Sequence, residues 1–147
     1  LSGKHNKLEV AIVEEFAPRF APGAKLVYLG DTANKVLVFE QSVFTKLGIS
    51  TTEHEKLPDV ILYDKKKNWL FLIEAVTSHG PVSPKRHFEL EKLLENCDAG
   101  KVYVTAFLDI TTFKKFVNDI AWETEVWVAE TPSHMIHFNG DKFLGPR

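Results

Sequence analysis

The sequence predicts an α/β fold, a mixed central β-sheet flanked by α-helices, from three observations. Two apolar runs, Val60 to Tyr63 and Trp69 to Ile73, enclose the polar stretch Asp64 to Asn68 and read as a β-hairpin. Helical periodicity lies on either side of that hairpin, at Leu8, Ala11, Ile12 and Phe16, and again after Ser83. The order of elements is helix, meander, helix, strand, helix, strands, which suits a sheet with helices packed on it.

Taken in order, the first helix buries Leu8, Ala11, Ile12 and Phe16, and Pro18 is expected to end it. Lys25 to Leu29 reads as a strand closed by Gly30-Asp31, and Val36 to Phe39 as another. A short helical stretch then runs to Leu47 and stops at Gly48. The run Trp69 to Ile73 has no polar alternation, so that strand is expected to be buried on both faces. Ser83 is placed to cap a helix with Pro84 at its first position. Phe88, Leu93, Leu94 and Cys97 are expected on its core side, with Gly100 after its end. Val102 to Phe107 is a strand, Thr111 to Ile120 a helix and Val126 to Ala129 a strand. Ile136 to Phe138 and Lys142 to Leu144 form a hairpin about Asn139-Gly140. Trp122 and Trp127 read as core aromatics, and His134 and His137 as parts of the terminal hairpin.

A length of 147 residues fits one domain, residues 1–147, and 44% hydrophobic with 12% aromatic residues excludes a disordered chain. No apolar run reaches the length of a membrane span and nothing at the start resembles a signal peptide, so a cytoplasmic location is expected. The single Cys97 excludes an internal disulfide, and no Cys/His set has zinc-site spacing. A net charge of −2 argues against a protein that grips nucleic acid by bulk positive charge, although local basic groups occur at Lys65-Lys66-Lys67, Lys85-Arg86 and Lys114-Lys115. Solvated surface accounts for the first and last of these.

Chemistry enters with Pro58-Asp59, fourteen intervening residues, and Glu74. A symmetric hairpin that sets Asp64 opposite Trp69 also sets Asp59 opposite Glu74 on one face, with Cβ atoms roughly 5 Å apart. Two like charges so placed repel unless a cation lies between them, and Mg²⁺ takes carboxylate oxygens. With 20 carboxylates among 147 residues the pair alone is weak evidence. Its context adds to it, because Glu74 closes the run Trp69-Leu70-Phe71-Leu72-Ile73 and so marks either a strand reaching solvent or a functional site. On the first helix Glu15 lies about 40° from the centre of the inner face, pointing to a metal or to a salt bridge with a lysine at the core edge. Lys85 and Arg86 stand in the first turn after Ser83-Pro84, either as an ordinary solvated basic turn or as part of an anion pocket suited to phosphate.

These residues resemble a known family. Asp59 and Glu74 at that spacing resemble the core of the PD-(D/E)XK nucleases. The run LPDVILYDKKKNWLFLIEAVTSHGPVSPKR is similar to the BsuBI/PstI family of type II restriction endonucleases. So are FAPRFAPGAKLVYLGDTANK, from Phe16 to Lys35, and the C-terminal DIAWETEVWVAETPSHMIHFNGDKFLGPR. The resemblance implies a restriction-endonuclease-like fold and hydrolysis of double-stranded DNA at the palindrome CTGCAG, leaving 3′ overhangs. It also implies Mg²⁺ held by Asp59 and Glu74, and matches Glu15 to a carboxylate that many such nucleases carry on the first helix. The general motif places a lysine two residues after the glutamate, where this chain has Val76. Lys85 is the candidate replacement, with Lys35 second. Family members are longer, with an N-terminal helical region that helps to bind DNA, and this chain is expected to hold the catalytic part alone.

The expected mechanism is metal-assisted attack of water on phosphorus, with Lys85 orienting the water or stabilising charge. Thr77, Ser78 and His79, just beyond the metal strand, either contact DNA or form a plain connection whose hydroxyls bind their own backbone. Lys35 and Arg86 are the further candidate DNA contacts. Cutting both strands of a palindrome implies a two-fold homodimer. Two other readings stay open: a catalytically inactive DNA-binding module that keeps the nuclease shape, and a nuclease of similar core acting on branched or damaged DNA.

Overall fold

The computed structural model describes residues 3–30, 36–78 and 80–138. Lys35, His79, the Asn139-Gly140 turn and the strand expected at Lys142 to Leu144 lie outside these residues. One seven-stranded mixed sheet organises the rest, in the order β2-β1-β3-β4-β5-β6-β7. Its strands are β1 (Lys25–Gly30), β2 (Val36–Phe39), β3 (Val60–Asp64), β4 (Trp69–Val76), β5 (Gly100–Phe107), β6 (Thr124–Val128) and β7 (Ile136–Phe138). β4–β5 and β5–β6 are parallel, and the remaining pairs are antiparallel. The helices are α1 (Lys4–Ala11), α2 (Ala17–Phe20), α3 (Gln41–Leu47), α4 (Pro84–Leu93) and α5 (Ile110–Phe116). None is long and apolar enough to cross a membrane.

Alternation along β4 feeds both faces of the sheet, as a strand flanked on both sides must. Leu70 and Leu72 pack with Ile61, Tyr103 and the α4 residues Leu90 and Leu94. Phe71, Ile73 and Ala75 turn the other way and pack with Leu8, Ile12, Phe16 and Trp127. Phe16 makes edge contacts there with Phe71 and Trp127, at centroid distances of 6.4 and 5.6 Å. A bulge between Leu26 and Tyr28 of β1 allows the consecutive residues Val27 and Tyr28 to join the same core cluster.

Four sequence expectations change. Pro18 does not end the first helix: α1 continues through a π-helical turn, Ile12–Phe16, into α2, which contains Pro18. Ala17 N–H bonds to Ile12 O five residues back, and this wider turn gives the proline ring, which has no N–H to offer, room that a regular turn denies it. Phe88 is 66% exposed, because the inner row of α4 and its extension is Leu90, Leu94 and Cys97, with Leu93 half-buried beside it. Phe88 stands two residues before Leu90 and so roughly 200° around the helix. Trp122 is also exposed, its ring 5.7 Å from that of Phe138, while Trp127 is fully buried as expected. The helix expected from Thr111 to Ile120 is α5 followed by a 3-10 turn, Val117–Asp119.

Candidate active site

The hairpin register places the carboxylate pair. Pairing runs from Asp64 opposite Trp69 to Val60 opposite Ile73, and one more step sets Asp59 against Glu74. Asp59 ends the ladder and is fixed from three directions. Its carbonyl accepts from Gly30 N–H at 3.0 Å, and its Oδ2 accepts from Ala75 N–H at 2.8 Å. Its Oδ1 lies 3.3 Å from His5 Nε2 of α1.

Glu74 shares a sheet face with Leu70 and Leu72 and therefore points toward α4. There Arg86 donates through Nε to Glu74 Oε2 at 3.1 Å and through Nη2 to Oε1 at 3.5 Å. Glu74 is 15% exposed. Burial raises its pKa above the ordinary carboxylate value, the Arg86 guanidinium opposes that rise, and the negative charge of Asp59 adds to it.

The start of α4 is set by its cap, with Ser83 Oγ accepting from Arg86 N–H at 3.1 Å. The preceding segment is tied across the sheet, since Val82 N–H donates to buried Thr105 Oγ1 at 3.0 Å and Val82 O accepts from Ala121 N–H at 2.9 Å. Thr105 stands opposite Glu74 in the parallel β4–β5 ladder, so these ties hold Arg86 over the glutamate.

A second group approaches Asp59 from α1. His5 Nδ1 lies 3.7 Å from Glu9 Oε1, and one ligand atom from each of His5, Glu9 and Asp59 falls within 4.8 Å of the others. Glu9 is only 4% exposed. The Tyr28 phenol lies close enough to feel this charge: its pKa is raised by burial first, then by the carboxylates of Asp59, Glu55 and Glu9.

The structure thus brings together Asp59, Glu74 and Arg86 from the residues singled out in the sequence. Lys85 begins α4 beside Arg86 and is exposed, and the cation that reaches Glu74 is Arg86. Val76, in the place of the motif lysine, is buried. Glu15 is not brought to the pair; it lies in the π-helical turn, 47% exposed, and binds Arg19 Nη1 at 2.6 Å. Thr77 and Ser78 follow β4 directly, half-buried and exposed respectively. His5 and Glu9 escaped the sequence reading, although a signal existed. His5, Glu9, Ile12 and Phe16 recur at spacings of four, three and four, so the two polar residues extend the apolar ridge of the first helix.

A mixed sheet whose antiparallel hairpin ends in an Asp–Glu pair, with helices on both faces, defines a restriction-endonuclease-like α/β domain. The chain matches the structure of SdaI restriction endonuclease over 99% of its own length and 46% of that chain, with a TM-score of 0.90 at 46% identity. The chain belongs to the BsuBI/PstI restriction endonuclease domain family, which matches residues 1–141. It is 54% identical to the type II restriction enzyme BsuBI of Bacillus subtilis, over 98% of this chain and 46% of that protein. It is 32% identical to the type II restriction enzyme AplI of Arthrospira platensis, over 94% of this chain and 51% of that protein. The chain therefore spans about half the length of the curated relatives it matches.

Proposed function

We propose that this domain hydrolyses phosphodiester bonds of duplex DNA with Mg²⁺ held by Asp59 and Glu74, as the catalytic part of a type II restriction endonuclease. The observation that carries this reading is the placement of the two carboxylates at one end of the β3–β4 hairpin, with Asp59 charge acting on a buried Glu74. The donor set fits a hard divalent cation. Both groups are carboxylates, and Ala75 N–H holds Asp59 Oδ2 in place while Oδ1 lies 3.3 Å from His5 Nε2. When bound, the ion supplies Lewis acidity, acidifying a water and offsetting charge on the phosphoryl oxygens.

The chain's own residues supply position and charge. Arg86 fixes the Glu74 carboxylate, and the exposed ammonium of Lys85 at the start of α4 is available to a phosphate or to the attacking water. The water oxygen bonds to phosphorus as the phosphorus–oxygen ester bond breaks, and the proton leaves to the phosphate or to solvent. Thr77 and Ser78, continuing the strand that carries Glu74, are the proposed DNA contacts, together with His79, Lys35 and Arg86. Family membership supports CTGCAG as the site, cut to leave 3′ overhangs, with a homodimer in the full enzyme dividing the two strands.

Supercoiled-plasmid cleavage with Mg²⁺ or EDTA, comparing the wild-type chain with Asp59→Asn, tests the reading. Mg²⁺-dependent cutting that disappears in the variant supports it, and mapped ends at CTGCAG support the finer assignment. DNA binding without cutting under every metal condition would leave a binding module in its place.

A further inference from the structure

The inner side of α4 is Leu90 and Leu94, packed on the sheet, and its outer side has a different chemistry. At about 100° per residue, Lys85, Phe88 and Lys92 fall within about 60° of one another on that outer side, a stripe about 10 Å long. All three are exposed, and Phe88, at 66%, is as exposed as any large hydrophobic among the described residues. Lys92 Nζ lies 5.9 Å from the centroid of its ring. The carboxylates that flank the stripe are already engaged. Glu89 Oε1 lies 3.8 Å from Arg86 Nη1, and Glu91 accepts the Tyr103 hydroxyl. Arg86, Phe88 and Lys92 line one cleft of about 480 Å³, so the stripe is continuous with the arginine that holds Glu74. Across that cleft Glu53 is held by Lys56 Nζ at 2.8 Å, and Glu95 lies beyond the last turn of α4.

We propose that the outer stripe of α4, Lys85, Phe88 and Lys92, is an interface for the duplex DNA that flanks the scissile phosphate. Lys92 contacts a phosphate, and Phe88 lies against the sugar edge beside it. With the scissile phosphate at Asp59 and Glu74, as in the nuclease reading on which this interface rests, the duplex runs from there along α4 toward its C-terminal end. The length of the stripe matches about three base-pair rises of 3.4 Å, so the lysines at its two ends meet phosphates of separate nucleotides. Ammonium groups supply attraction that does not depend on sequence, and an apolar ring between them excludes water from the minor-groove sugars. The stripe therefore positions the duplex and does not read its bases. An exposed aromatic between two cations, on the helix that begins at the catalytic pair, is in this way accounted for by one ligand.

Fluorescence anisotropy of a labelled CTGCAG duplex in EDTA measures binding by the 147-residue chain without cutting, over a range of salt concentrations. Lys92→Gln is expected to reduce the slope of log affinity against log salt by about 0.9. Phe88→Ser is expected to weaken binding about fivefold or more at every salt concentration, with the slope unchanged. Lys66→Gln makes the same charge change at the exposed turn of the β3–β4 hairpin and should keep wild-type affinity and slope. Wild-type binding by both α4 variants would overturn the proposal. So would an equal loss in Lys66→Gln and Lys92→Gln, which would mean bulk charge, or a wild-type chain that binds no duplex at low salt. Plasmid cleavage with Mg²⁺ separates this result from the nuclease reading. Cutting that persists while both α4 variants bind normally removes the interface and keeps the nuclease. Binding that depends on Phe88 and Lys92, with no cutting under any metal condition, keeps the interface and removes the nuclease.

Discussion

Arg86 Nε stands 3.1 Å from Glu74 Oε2, so the cation paired with the buried glutamate among the described residues comes from the first turn of α4 and not from the strand that carries Glu74. Both side chains are largely removed from water, and each is the other's compensation. Arg86→Ala is expected to lower the unfolding free energy by about 2 kcal/mol, the usual scale for a lost hydrogen bond to a charged group. Urea denaturation at neutral pH measures it. Adding Glu74→Gln to that variant should recover most of the loss, because the stranded charge is then gone.

The raised pKa of Glu74 carries a definite sign. Between the unfolded value of about 4.3 and the higher folded value, the native state holds a proton that the unfolded chain has released. Stability from this group is therefore fully present at low pH and is lost as pH rises through the folded pKa. Urea midpoints of wild type and Glu74→Gln, compared from about pH 4 upward, should show wild type losing ground as pH rises. A difference that grows in favour of wild type would contradict the assignment.

Gly48 ends α3 with φ +77°, and a Cβ built there would meet Asn96 O at 2.7 Å. Gly48→Ala combines the left-handed penalty of about 1–2 kcal/mol with a backbone clash. It should therefore lower the melting temperature more than alanine does at Gly23, which also has positive φ but has open space around it. Asparagine at position 48 should not rescue stability, since its Cβ meets the same oxygen.

On α4, Leu90→Ala is expected to cost about 2–5 kcal/mol, whereas Phe88→Ser should stay within roughly 0.5 kcal/mol of wild type. The contrast follows from a fully buried Leu90 and an exposed Phe88 whose ring carries Lys92 Nζ at 5.9 Å. Parallel thermal or urea melts of the two variants decide it.

What was legible in the sequence was mostly local. The β3–β4 register followed from two apolar runs and a short polar turn, and with it came the relation of Asp59 to Glu74. The Ser83 cap and the Pro84 start of α4 were legible for the same reason, since neighbours along the chain make them. What escaped depends on helix phase or on long-range packing. Constant rotation along the first helix favoured Glu15, but the π-helical turn alters that rotation, and Glu15 lies six residues, about 9 Å of helix, beyond Glu9. The difference between Lys85 and Arg86 rests on which residue α4 turns toward β4, a matter settled by Leu90 and Leu94 packing on the sheet. Trp122 read as a core aromatic, and its exposure follows from its position outside the β6 strand that buries Trp127.

The turn between Ile12 and Phe16 amounts to one surplus residue inside a helix, and it gives the two halves independent aim. The N-terminal half directs His5 and Glu9 to the sheet rim, while the C-terminal half still lays Phe16 between Phe71 and Trp127. Deleting a single residue here would restore uniform winding and swing one half by about 100° against the other. The rim would then lose its imidazole and carboxylate or the core would lose its aromatic ring, so the length of this helix is fixed to the residue even where the identity of its exposed side chains is not.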